Sequence, residues 1–85
     1  MDKMITVFKD KPPSLKEVQT LVGGYVERIM IPNSRDQMYV DEDGLHKDLS
    51  LNIEASKLVG GPIVGHAVIL KGEAIWTWDY AKVFI

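Results

Sequence analysis

The chain has 85 residues, ten basic and twelve acidic side chains for a formal net charge of −2, and no cysteine. That length predicts one domain over 1–85, near the small end of what folds alone, and the missing cysteines exclude disulfides, thiolate nucleophiles and cysteine-ligated metals. An apolar fraction of 46% with 26% charged residues is that of an ordinary globular domain and not of a disordered one.

A small fold without covalent staples commonly completes its core by oligomerising, so a homo-oligomer is expected. The acidic balance lacks the basic surplus with which dedicated nucleic-acid binders neutralise phosphate. No apolar run approaches the roughly 20 residues of a membrane span, and Met1-Asp2-Lys3-Met4 does not begin a signal peptide. The expectation is a cytoplasmic protein with no membrane partner.

Met4 to Phe8 is β-branched and apolar, and reads as a first strand ended by Lys9-Asp10-Lys11 and Pro12-Pro13. Ser14-Leu15-Lys16-Glu17 matches a capping box, with Ser14 as N-cap. Leu15, Val18, Leu21 and Val22 recur at helical spacing and Gly23-Gly24 stops the helix. Tyr25 to Ile31 reads as a strand with apolar groups on both faces, as in a central strand or one covered by a neighbouring subunit. Pro32-Asn33-Ser34 turns the chain. Gln37 to Asp41 is the next strand, and Asp43-Gly44 signals a hairpin whose return strand is Leu45 to Leu51.

Asn52 to Val59 fits either a short helix capped by Asn52 and stopped by Gly60-Gly61, or an irregular strand; periodicity does not decide over so few residues. Pro62 to Leu70 reads as a strand interrupted by Gly65 and His66. Ala74 to Asp79 reads as another, with Trp76 and Trp78 on the face of Ala74 and Tyr80. Val83-Phe84-Ile85 is an apolar end expected to be pinned in the sheet or against another subunit. Leu-Val-Gly-Gly occurs at Leu21 to Gly24 and at Leu58 to Gly61 with dissimilar flanks, which marks a reused bend signal and not a duplicated domain.

Candidate chemistry is sparse. His46 and His66 lie twenty residues apart with no cysteine, which gives no zinc spacing. Asp41, Glu42 and Asp43 lack the twelve-residue calcium-loop pattern and read as a solvated turn. None of the four serines sits in a nucleophile elbow, and the paired glycines form no phosphate loop, since Leu21 to Gly24 follows a helix, whereas a phosphate loop precedes one. No catalytic residue, metal or cofactor is expected. Trp76, Trp78 and Tyr80 form either a base-stacking platform or part of a core or subunit interface.

Leu21-Val22-Gly23-Gly24-Tyr25-Val26-Glu27, Tyr39 to Leu45, Leu51-Asn52, Ala55, Leu58 and Ile63 to Ile69 together resemble a family of small uncharacterised proteins from bacteriophages, plasmids and their hosts. The resemblance spans about residues 15 to 70; it implies a mobile-element origin and brings no activity. Ile63-Val64-Gly65-His66-Ala67-Val68 is also similar to the second motif of Sm-like proteins, apolar-basic-Gly-x-Asn-apolar. Gly65 and the apolar positions match, while Val64 stands at the basic position and Ala67 at the asparagine.

The Sm-like resemblance implies a short helix followed by a strongly bent barrel that assembles into rings. The expected fold is therefore mostly β (α+β): a short N-terminal helix with a five- or six-stranded curved antiparallel sheet or open Sm-like barrel. The expected function is a non-catalytic phage-type Sm-like oligomer with weak RNA binding through Gly65, His66 and Lys71, and a subunit interface at Tyr25, Trp76, Trp78 and Phe84. The alternative is an interaction module that binds a host protein or a small regulatory ligand. A basic, aromatic-lined face would favour RNA; a mixed-charge surface with an apolar groove would favour a protein partner.

Overall fold

In the computed structural model, which describes residues 4–78, Ile5–Phe8 forms strand β1, and Leu15–Val22 forms helix α1. Ser14 caps α1 as its sequence requires: its backbone is extended and its Oγ accepts from the Glu17 amide at 3.0 Å. At the other end Gly23 takes the left-handed conformation at φ 91°, which glycine adopts without steric cost. Leu15, Val18 and Val22 are buried, while Leu21, at the margin of the stripe, is exposed.

Val26–Met30 (β2) and Gln37–Asp41 (β3) form an antiparallel hairpin through the loop at Pro32-Asn33-Ser34, where Asn33 has φ 59°. Ile53–Val59 is helix α2, which resolves the ambiguous stretch. The deciding group is polar: Asn52 Oδ1 accepts from the Ala55 amide at 3.1 Å and caps the helix, and Gly60 at φ 76° ends it. Ala67–Leu70 is β4, and Gly72–Ala74 is a single 3₁₀ turn.

The four strands run in the order β1-β4-β3-β2. β4 pairs antiparallel with β3, and parallel with β1 from Ile5↔Ala67 to Phe8↔Leu70. The sheet has fewer strands than expected, contains one parallel pair, and places β1 and β2 at its ends; it is an open α+β sheet and not a barrel. Both central strands are buried on both faces. Leu15, Val18, Val22, Val26, Tyr39, Val68, Leu70 and Trp76 form the core under α1. Met38, Val40, Ala55, Ile63, Ala67 and Ile69 form the core under α2. Side chains alternate across a strand, so β3 sends Tyr39 to the first core and Met38 and Val40 to the second.

Three expected strands differ. Residues 42–48 are turns, closed by the Lys47 amide on Asp43 O and the Leu49 amide on Gly44 O, and only Leu51 bridges to Val64. Gly65 at φ 79° bends the chain, so the strand expected over Pro62 to Leu70 is regular only from Ala67. Of the strand expected over Ala74 to Asp79, the described residues 75–78 form no ladder, and Trp76 donates its amide to Gln37 Oε1 and its Nε1–H to Pro13 O, while Asp79 lies outside the described residues. β2, expected as a central or subunit-covered strand, is an end strand whose apolar groups reach both cores: Val26 lies in the first, and Ile29 packs against the second.

Candidate functional site

Period-two alternation along β2 turns Glu27 and Ile29 toward the α2 side of the sheet, next to Val40 of β3, which pairs with Glu27. Here the chain leaves β3 and folds back as one wall. Asp41 Oδ1 accepts from the Asp43 amide at 2.8 Å, and Gly44 N–H bonds Asp41 O at 3.1 Å. Lys47 Nζ lies 2.7 Å from Asp41 Oδ2 and donates to Gly23 O at 3.0 Å, which ties the turn to the end of α1. Asp41, expected in a solvated turn, is only 5% exposed and is the anchor of this wall.

The facing wall is Pro62-Ile63-Val64. Ile63 donates its amide to Ser56 Oγ at 2.8 Å and accepts from the Asn52 amide at 2.7 Å, which holds the segment against α2. The walls meet at Gly44, where a Cβ would stand 2.9 Å from Val64 Cγ2.

Between these walls lies a groove of about 220 Å³. Ile29, Val40 and Ile63 give it an apolar floor, Leu45 stands over it almost fully exposed, and Glu27 and Glu42 are exposed on its rim. Neither carboxylate has an ion pair among the described residues, whose basic partners in such pairs, Lys47 and Lys71, go to Asp41 and Asp36. The groove is smaller than the ~300–1,000 Å³ typical of drug-sized ligand sites. It has the dimensions for one side chain, and its charge favours a cation.

The residues expected to touch RNA do not converge here or elsewhere. Gly65 is buried, and its Cβ position is taken by Leu49 Cδ1 at 2.6 Å. His66 is half-buried, with Nε2 2.7 Å from Thr6 Oγ1, and burial lowers its pKa from the ordinary 6.5. Lys71 lies beyond the far end of β4, roughly 20 Å along the chain at ~3.3 Å per residue, with its ammonium 3.0 Å from Asp36 Oδ2.

Of the residues expected at a subunit interface, Tyr25 is 60% exposed and Trp78 37% exposed. Trp76 is instead a core residue at 3% exposure, its ring 4.5 Å from those of both Tyr39 and Trp78. Phe84, like Tyr80, lies outside the described residues. Among the described residues no group of three or more His, Cys, Asp or Glu side chains is placed to hold a metal ion, and no helix is long and apolar enough to cross a membrane.

Residues 2–76, which include every helix and strand described above, match the model of a family described as Domain of unknown function (DUF3846). The chain belongs to this family. No curated protein and no solved structure matches it. The groove-forming residues from Glu27 to Val64 all fall within the matched region. Sequence reasoning passed over Glu27 and Ile63 because they lie on different elements. The only local signal was the acidic run at Asp41-Glu42-Asp43, which gave no hint that Asp41 turns inward and Glu42 outward.

Proposed function

We propose that this protein is a non-catalytic interaction module of mobile-element origin whose partner is a host protein. The observation that carries this reading is the small, apolar-floored groove between β2, the turn after β3 and the segment before β4, with two carboxylates on its rim that have no ion pair among the described residues. An acidic rim around an apolar cleft suits a protein side chain better than a phosphate backbone, which the rim would repel. The Sm-like RNA-binding reading draws less support, because Gly65, His66 and Lys71 are respectively buried, engaged with Thr6 and paired with Asp36.

The test is site-specific photocrosslinking in host cells, with a benzophenone side chain in place of Leu45 and, as a control, of Lys16 on the outer face of α1. A protein adduct formed from Leu45 and not from Lys16 supports the reading. Adducts to RNA, or equal adducts from both positions, overturn it.

Self-association is a second reading, favoured by large apolar side chains left open at both ends of β2, where Tyr25 is 60% and Met30 70% exposed. Light scattering at micromolar concentration decides it, since the mass of a monomer removes this reading and leaves the first intact.

A further inference from the structure

The groove's chemistry is more specific than a general affinity for proteins. The side chains of its floor, Ile29, Val40 and Ile63, are aliphatic and offer no hydrogen-bonding group, so they suit an apolar stem better than a polar group. Among the described residues, the charged side chains exposed on the rim are those of Glu27 and Glu42, both acidic. At about 220 Å³ the groove accommodates one long side chain and not a nucleotide or an extended cofactor. Leu45, 79% exposed, offers apolar surface for a stem to lie against. Lysine and arginine bury apolar stems while keeping their charged heads in water, and carboxylates at a groove's mouth meet such a head.

From this complementarity we infer that the groove binds a lysine or arginine side chain of the protein partner, its methylene stem on Ile29, Ile63 and Leu45 and its cationic head between Glu27 and Glu42. This rests on the interaction-module reading and names what that module recognises. Lys47, in the turn that forms one wall, does not fill the role, because its ammonium is committed to Asp41 Oδ2 and Gly23 O.

The test uses the full chain and fluorescein-labelled peptides of the form Ser-Val-Xaa-Val-Ser, with arginine, lysine, norleucine or glutamate at Xaa. Binding is read by anisotropy, and location by amide shifts in ¹⁵N-labelled protein. The arginine and lysine peptides should bind about tenfold more tightly than the norleucine peptide, shift Ile29, Gly44 and Ile63, and weaken as salt screens the exposed carboxylates. The double variant Glu27→Gln/Glu42→Gln should remove the preference for a basic residue. Leu45→Ala should weaken all the peptides together; all three positions are exposed, so the fold is retained.

Equal binding of norleucine and arginine peptides at these same amides would overturn the cation assignment and leave the interaction-module reading standing. If n-butylguanidinium bound as tightly as the arginine peptide, the ligand would belong among free small cations and the peptide assignment would fall. Displacement of the arginine peptide by a uridine oligonucleotide would overturn both.

Discussion

Asn52 Nδ2 donates a hydrogen bond to Gly65 O at 2.9 Å, and through it the start of α2 is fastened to the bend before β4. The same amide nitrogen reaches Met4 O at 2.8 Å, while Oδ1 caps α2, so one side chain, 1% exposed, satisfies three separate pieces of backbone. A buried polar group is tolerated only when its hydrogen bonds are made, and here they are. Loss of Asn52 therefore strands partners as well as removing a cap.

Asn52→Ala should destabilise the fold by about 2–4 kcal/mol, combining a lost cap with buried carbonyls left unmet. Ser14→Ala, at an exposed cap, should cost only about 0.5–2 kcal/mol. Urea midpoints measure both, and a cost at Asn52 no greater than at Ser14 would show that the buried knot adds nothing.

Gly65→Ala should be more harmful than Gly60→Ala. Both glycines have positive φ, 79° and 76°, so alanine pays a left-handed penalty of roughly 1–2 kcal/mol at each. Only at Gly65 would the added methyl also meet Leu49 Cδ1, at 2.6 Å; at Gly60 there is open space. Leu49→Ala should recover part of the excess in a double-mutant cycle, and independent, additive effects would mean that the two side chains do not compete for the same space.

Trp76→Phe should cost about 1–3 kcal/mol by leaving Pro13 O without its donor, and Trp76→Ala about 3–5 kcal/mol through a cavity beside Tyr39. Chemical denaturation together with light scattering separates the core role from an interface role. A Trp76→Ala protein with unchanged stability and altered assembly would return Trp76 to the interface.

His66 gives the pH dependence a definite sign. Desolvation lowers its folded-state pKa below 6.5, so the folded protein binds fewer protons than the unfolded chain between those two values. Its contribution is present above pH 6.5 and is lost as pH falls from there through the lowered value. His66→Gln, which can keep a hydrogen bond to Thr6, should flatten the stability–pH curve in that window, as followed by urea midpoints from pH 7.5 to 5. A curve parallel to wild type would assign the acid sensitivity to other groups.

The sequence by itself determined the features whose causes lie within a few residues. Ser14 and Gly23-Gly24 mark both ends of α1, because capping and left-handed stops are local backbone chemistry. Pro32-Asn33-Ser34 likewise places the turn between β2 and β3. Tertiary structure decided what depends on partners far away in the chain. β1 pairs in parallel with a strand some sixty positions later, as in Thr6↔Val68, and no local pattern chooses that neighbour. Leu45 to Leu51 alternates loosely enough for a strand, yet the ion pair from Lys47 to Asp41 and the contact with Gly23 hold residues 45–48 in turns, and only Leu51 forms a bridge. Asn52 to Val59 became a helix because Met4 and Gly65 carbonyls fix the side chain that caps it. The groove is of the second kind as well: alternation sends Glu27 and Ile29 to one face of β2, but only the packing of Pro62-Ile63-Val64 against α2 gives that face an opposite wall.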